Sequence, residues 1–192
     1  MIALRARGLY HLHASAAVDP QGVAWLFAGP SGVGKSTLAY ALSRQGWQIL
    51  GDDGVVLEPT THGATLHAWR EPLQVSSALT PDFPELCARQ HLENANDARR
   101  RIPMPTPLAR HAPLGAILFP RRAAFDRLIP LSRTMALSEL IVQSSQVLLA
   151  DSETPRHFAR LRDLIAAVPS FRLEHTQKQL HEIANTLRTA AL

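Results

Sequence analysis

The most informative stretch of the sequence is Gly29-Pro30-Ser31-Gly32-Val33-Gly34-Lys35-Ser36, a complete match to the phosphate-loop pattern G-x-x-x-x-G-K-[ST]. An apolar run at 23–28 predicts a buried strand before it, and residues 36–45 predict a helix that ends at Gly46. Glycines allow positive φ, so backbone N–H groups can turn inward at a helix N-terminus and hold phosphate oxygens. The alternative is a glycine-rich turn that matches by chance, but the flanking strand and helix favour the phosphate loop.

We expect this loop and the residue after it to bind ATP together with Mg²⁺. In this pattern the lysine, here Lys35, reaches the β and γ phosphates, and the Ser36 hydroxyl is a ligand of Mg²⁺. The predicted nucleotide-binding residues are Gly29, Pro30, Ser31, Gly32, Val33, Gly34, Lys35, Ser36 and Thr37.

An acidic pair, Asp52-Asp53, follows a short predicted strand at 47–50. If the intervening helix packs back on the sheet, both carboxylates lie beside the phosphate loop. In phosphoryl transfer one carboxylate can hold Mg²⁺ while another accepts the proton of the attacking hydroxyl. We expect Asp52 to be the base and Asp53 to be the metal-side partner, with the order of the two left open. A plain Asp-Gly hairpin corner is the alternative.

The composition limits the class of protein. A chain of 192 residues, 46% of them hydrophobic, can bury one ordinary core, which predicts a single domain over 1–192. No apolar run approaches the roughly 20 residues of a membrane helix, and the N-terminus lacks a secretory-signal pattern. We therefore expect a cytoplasmic protein without a membrane partner.

The charge of the chain indicates which ligands it favours. The formal net charge of +4 comes from arginine more than lysine, which suits phosphate-bearing ligands and acidic partners. Only 6% of the residues are aromatic and no helix-turn-helix pattern occurs, so we expect no nucleic-acid partner. Assembly into a homo-oligomer is compatible with the sequence but is not specified by it.

The rest of the chain predicts an α/β fold with a hairpin-rich mixed sheet flanked by helices. The predicted strands are 9–18, 55–57, 65–68, 70–75, 114–119, 128–131 and 170–175. The predicted helices are 82–90, 136–144, 154–167 and 178–192. A mobile loop is predicted over 94–107. It contains Arg99-Arg100-Arg101, and Arg121-Arg122 follow a later strand; either group could neutralise transferred phosphate, and a solvated loop is the alternative for the first.

His13 is a catalytic candidate. It falls on the strand predicted to pair with the strand that enters the phosphate loop, where an imidazole can orient a carboxylate or meet phosphate charge. A histidine that only packs in the sheet is the alternative.

Taken together, His13-Ala14-Ser15, the loop at 29–36, Gly46 and the Asp52-Asp53 pair resemble the catalytic domain of the HPr kinase/phosphorylase family. The chain is similar to the compact form of that family, the related kinases that phosphorylate peptides or proteins on serine, and its core also resembles phosphoenolpyruvate carboxykinases. The resemblance implies a phosphate-loop domain of this type that phosphorylates a serine of an acceptor protein or peptide. It further implies that His13, Lys35, Asp52 and Asp53 are catalytic and that Ser36 and Asp53 contact the metal.

Three functions remain open from the sequence. The first is an ATP-dependent serine kinase that acts on a protein or peptide. The second is a small-metabolite kinase, which usually carries its acids as Asp-x-Asp rather than as an adjacent pair. The third is a non-catalytic regulator whose arginines contact a partner according to ATP occupancy.

Overall fold

The computed structural model of the chain describes residues 2–76, 81–88, 99–106, 108–144, 152–176 and 180–190. The strands are β1 (Tyr10–Leu12), β2 (Ala14–Val18), β3 (Ala24–Ala28), β4 (Gln48–Gly51), β5 (Val55–Thr60), β6 (Gly63–Ala68), β7 (Leu73–Ser76), β8 (Arg99–Ile102), β9 (His111–Arg122), β10 (Arg127–Pro130) and β11 (Ser170–His175). The helices are α1 (Ile2–Arg5), α2 (Lys35–Ser43), α3 (Glu85–Ala88), α4 (Arg133–Gln143), α5 (Thr154–Ala167) and α6 (Ile183–Ala190).

Within these ranges, nine strands form one mixed sheet in the order β1-β5-β6-β9-β3-β2-β4, with β11 beside β9 and β10 beside β11. Strands β3, β9 and β11 run parallel, whereas β2 runs antiparallel between β3 and β4. The carboxyl ends of the three parallel strands therefore meet at one edge, which is where ligands bind in open α/β sheets. Strands β7 and β8 pair with each other in a separate antiparallel sheet.

The long strand β9 joins the hairpin part of the sheet to its parallel part. Its residues 111–113 pair with β6, residues 114–118 pair with β3, and residues 117–122 pair with β11. Because β9 continues past the end of its pairing with β3, its last residue, Arg122, lies at the edge where the parallel strands end.

The alternating side chains of β3 fill two hydrophobic cores. Ala24, Leu26 and Ala28 belong to the core covered by α4 and α5, whereas Trp25 and Phe27 belong to the core covered by α2 and α6. Full burial of one large apolar side chain contributes roughly 1.5–3 kcal/mol. Burial on both faces therefore stabilises the position of β3 and of the first residue of the loop that follows it.

The predicted α/β class with a mixed sheet flanked by helices is confirmed, and several elements have the predicted bounds. Helix α5 and strand β11 coincide with the predictions at 154–167 and 170–175. The hairpin of β5 and β6 occurs with longer strands than predicted, and β9 extends beyond 114–119 at both ends. No helix in the described ranges is long and apolar enough to cross a membrane.

Two predictions about elements were wrong. The predicted strand over 9–18 is broken at His13, because the backbone N–H of His13 donates to Gln143 O at the end of α4. The predicted loop over 94–107 contains strand β8, whose partner β7 lies far away in sequence. Helix α1 lies in a segment for which no element was predicted. Parts of the predicted elements fall outside the described residues, namely 89–90, 94–98, 107, 178–179 and 191–192.

Candidate active site

The loop between β3 and α2, residues 29–34, is called the glycine loop here. Gly32 has a φ of 88° and Gly34 a φ of 103°, values at which a side chain is strained. Gly34 is also the N-cap of α2 and offers no side-chain oxygen to the N–H groups of the first turn. The loop therefore carries backbone N–H groups at a helix N-terminus, an arrangement that suits an anion.

Lys35, the first residue of α2, folds back over the glycine loop. Its Nζ atom donates to the carbonyl oxygen of Gly29 at 2.7 Å and to that of Pro30 at 3.2 Å. The same atom lies 3.2 Å from Nε2 of His13. The ammonium group is thus held where the loop, the start of the helix and His13 meet.

His13 joins Lys35 to an acidic residue. Its Nδ1 atom lies 3.2 Å from Oδ1 of Asp53, on the opposite side of the ring from Lys35. With the ring proton on Nδ1, His13 donates to Asp53 and accepts from Lys35, so one neutral tautomer satisfies both contacts. The backbone of His13 lies in the break between β1 and β2, where its N–H donates to Gln143. The His13 ring therefore connects Lys35 to Asp53 through a continuous series of side-chain contacts.

The two adjacent acids have different environments. Asp52 is 0% exposed, and both of its carboxylate oxygens accept hydrogen bonds, one from the Ser15 hydroxyl and one from the backbone N–H of Gln74 at 3.0 Å. Asp53 has a φ of 60°, in the left-handed region, and its side chain is 44% exposed. Asp53 thus combines a left-handed backbone with a partly exposed side chain, whereas Asp52 is hydrogen-bonded to residues of β2 and β7.

A cleft of about 190 Å³ lies over the start of α2. It is lined by Ser31, Gly32, Gly34, Lys35, Ser36, Thr37, Asp53, Gln74, Ser76 and Arg122. The cleft therefore joins the glycine loop, one acid of the pair, strand β7 and the end of β9.

The predicted site residues fall into three groups with respect to this cleft. The residues that line it are Ser31, Gly32, Gly34, Lys35, Ser36, Thr37 and Asp53. Gly29, Pro30 and His13 contact it through Lys35. The third group is Val33 and Asp52, which are not among the lining residues. The structure thus brings the loop and Asp53 together, and the chemical roles predicted for all of these residues stay predictions.

The two predicted arginine groups, at 99–101 and 121–122, differ in their positions relative to the cleft. Arg122 lines the cleft, whereas Arg121 donates to Glu139 at 2.6 Å on α4. Strand β8 pairs with β7 so that Arg101 stands opposite Gln74 and Arg99 opposite Ser76. Arg122 is therefore the arginine with a shown position in the cleft, and β8 forms the strand behind the cleft wall.

Three residues at the site had no motif to identify them. Gln74 and Ser76 line the cleft because β7 returns to Asp52, a long-range contact that no local pattern predicts. His175, the last residue of β11, packs against the glycine loop, since a Cβ atom added to Gly34 would lie 3.5 Å from its Cε1 and Nε2 atoms. Burial lowers the pKa of His175, and the backbone of Thr176 and Val33 offsets that effect in part. Its only sequence signal was its position at the end of a predicted strand.

The donor set of the cleft fits a hard divalent cation. The Ser36 hydroxyl and the Asp53 carboxylate line the same cleft, and oxygen donors of this kind suit Mg²⁺, which keeps several waters and is held with substrate phosphates. Among the described residues no group of three or more His, Cys, Asp or Glu could form an all-protein metal site. The site therefore fits an ion shared with a phosphate ligand.

Comparison with solved structures shows a distant likeness. No protein-family model and no curated protein matches the sequence. The chain is similar to the solved structure of the HPr(Ser) kinase/phosphatase from Coxiella burnetii, with 12% identity and a TM-score of 0.43 over 94% of each chain. A likeness at this level shows no family membership, and the function proposed below is supported by the geometry of the cleft.

Proposed function

We propose that this chain is an ATP-dependent kinase that phosphorylates a serine hydroxyl of a protein or peptide. The observation that carries the proposal is the continuous chain of contacts from Lys35 through His13 to Asp53 at the mouth of the glycine loop. It combines a cation for phosphate with a base for a hydroxyl, the two groups that phosphoryl transfer needs close together.

In this proposal Asp53 is the base and Asp52 holds the site in shape, the reverse of the order preferred from the sequence. A general base must come within hydrogen-bond distance of the proton that it removes. Both oxygens of Asp52 already accept hydrogen bonds in a fully buried position. Asp53 lines the cleft, and His13 orients one of its oxygens.

The proposed reaction is a direct transfer. The acceptor oxygen forms a bond to the γ-phosphorus of ATP, the bond from that phosphorus to the β–γ bridging oxygen breaks, and ADP leaves. The hydroxyl proton passes to Asp53. Lys35 exchanges the carbonyls of Gly29 and Pro30 for phosphate oxygens, and Arg122 neutralises charge from the end of β9. Mg²⁺ held by Ser36 and the phosphate oxygens would supply further charge neutralisation, which leaves the Asp53 carboxylate to accept the proton.

An exposed apolar surface beside the glycine loop supports a polypeptide acceptor. A shallow cavity of about 430 Å³ is lined by Pro30 and by one face of α4, where Met135 is 47% and Val142 67% exposed. Pro30 contacts Lys35, and Gln143 at the end of the same face contacts His13. A peptide whose apolar side chain lies on this surface would have its neighbouring hydroxyl near Asp53, whereas a small metabolite would leave the surface uncovered.

The experiment is a transfer assay with γ-labelled ATP, offered in parallel to candidate proteins, serine peptides and small hydroxyl metabolites. Label on serine that is absent with Lys35→Ala supports the proposal. Label on metabolites alone would identify a small-metabolite kinase, and tight ATP binding without transfer to any acceptor would identify a non-catalytic regulator. Either of these outcomes contradicts the proposed function.

A further inference from the structure

His175 is a buried polar residue with no part in the proposed chemistry, although it touches the glycine loop. It is 4% exposed and ends β11, directly beside Arg122 in the parallel pairing of β11 with β9. Its backbone oxygen accepts the N–H of Ala123, which fixes its position at the edge of the sheet. Its ring edge, Cε1 and Nε2, lies against Gly34 at van der Waals distance.

Both ring nitrogens of His175 are buried, and neither has a hydrogen-bond partner within the described residues. A buried donor without a partner costs about 1–3 kcal/mol, so each case in a native structure calls for an explanation. Two charged groups face the ring from neighbouring elements: Asp126 after β9, and Arg122 at the end of β9. The backbones of Thr176 and Val33 also lie near enough to favour a proton on the ring.

The glycine loop itself needs such a donor when it holds phosphate. A loop that turns its N–H groups inward, toward an anion, turns its carbonyl oxygens outward. Outward carbonyls in a packed region require hydrogen-bond donors from the protein behind them. Lys35 donates one hydrogen bond to the Gly29 carbonyl and one to the Pro30 carbonyl, and its ammonium group is expected to move to the phosphates.

We propose that His175 is a positioning residue of the glycine loop, whose Nε2–H donates to the Val33 carbonyl when nucleotide occupies the loop. The ring holds the Val33–Gly34 turn from behind, so that the backbone N–H groups stay aimed at the phosphates. His175 then favours the nucleotide-bound form of the loop without touching the nucleotide. The inference rests on the proposed nucleotide binding and adds a residue that no phosphate-loop pattern contains.

The test measures MgATP binding to the full chain by calorimetry, for wild type, His175→Leu, His175→Met and His175→Gln. Loss of one neutral hydrogen bond predicts a rise in Kd of about five- to tenfold for the Leu and Met variants. The Gln variant keeps an N–H donor and is expected to recover most of the affinity. At saturating ATP the transfer rate should stay within about twofold, because the residue acts on binding of the loop rather than on the reacting atoms.

A matched control is His157→Leu, which changes another fully buried histidine. Its Nε2 atom contacts the Ser144 hydroxyl at 3.0 Å, and it stacks near Tyr10, away from the glycine loop. This variant should lose stability and keep the wild-type Kd for MgATP. A direct readout is the ¹⁵N-labelled His175 ring, whose Nε2–H signal should become protected from exchange when MgATP is added.

The outcomes separate the inference from the proposed function. Wild-type affinity in a folded Leu or Met variant, or no recovery with Gln, overturns the role of His175. Using two apolar variants keeps the test decisive if one of them does not fold. Failure of the wild-type chain to bind MgATP would instead contradict the proposed function.

Discussion

Oδ1 of Asp53 lies 3.2 Å from Nδ1 of His13, and this contact distinguishes Asp53 from its buried neighbour. The contact fixes the orientation of one carboxylate oxygen at the surface of the cleft. It also places the imidazole so that its other nitrogen faces Lys35. The cation for phosphate and the carboxylate for a hydroxyl are therefore linked through a single ring.

The first prediction concerns that ring. His13→Gln removes the bridge between Lys35 and Asp53 while keeping a polar side chain. We expect kcat to fall by roughly 10²- to 10³-fold, as for loss of an acid–base group or its orienting partner, with little change in the Kd for ATP. The measurement is steady-state transfer together with calorimetry. A kcat within threefold of wild type would contradict the role given to His13.

The second prediction concerns Arg122, the arginine in the cleft lining. Arg122→Ala should lower kcat by roughly 10²- to 10³-fold, because one charge-stabilising donor is lost from the transition state. The control is Arg127→Ala, which removes an arginine that stacks on Phe125 at 4.3 Å and pairs with Glu174 at 3.4 Å. That control should leave transfer unchanged. An equal decrease in kcat for both substitutions would show that Arg122 contributes only to the net positive charge of the protein and makes no specific contact in the transition state.

The third prediction compares two glycines with positive φ. Gly34→Ala introduces a Cβ at a φ of 103° in the loop, and Gly46→Ala does so at a φ of 87° after α2, with nothing within 4 Å. A strained φ costs about 1–3 kcal/mol in either place. We expect Gly34→Ala to weaken ATP binding by roughly tenfold, whereas Gly46→Ala should lower only the melting temperature. Unchanged binding in Gly34→Ala would mean that the loop geometry does not serve the nucleotide.

The fourth prediction concerns stability against pH. Burial lowers the pKa of His175 and that of His11 below the usual 6.5. Both histidines therefore bind protons more readily in the unfolded chain than in the folded chain. Their contribution to the free energy of unfolding is fully present above about pH 6.5 and is lost as the pH decreases below that value. Urea unfolding at several pH values should show a smaller decrease for His175→Gln than for wild type. An identical decrease would show that His175 does not contribute.

Local patterns were sufficient to predict the parts of the site that are continuous in sequence. The glycine loop needs glycine where φ is positive, and the strand and helix beside it have clear hydrophobic periodicity, so both were predicted within two residues. The adjacency of the loop to the acidic pair was also predictable, because a helix that packs on a sheet returns the chain to the same edge.

Contacts between distant segments were not predictable in the same way. Strand β8 is stabilised by its pairing with β7, which is distant in sequence. Its own arginine-rich sequence has no strand pattern and therefore predicted a loop. The environments of Asp52 and Asp53 differ because of Ser15 and Gln74, which come from other strands. His175 meets the glycine loop through the parallel pairing of β11 with β9, and a sequence pattern does not specify which strands become neighbours.

The most direct measurement is single-turnover transfer from γ-labelled ATP in Asp53→Asn and Asp52→Asn, with the folded fraction of each variant measured by circular dichroism. The account predicts that Asp53→Asn binds ATP and loses transfer by roughly 10²-fold or more, because the base is gone. Asp52→Asn should lose stability, yet its folded fraction should retain most of the transfer rate. Loss of transfer in folded Asp52→Asn, with full activity in Asp53→Asn, would contradict the central claim.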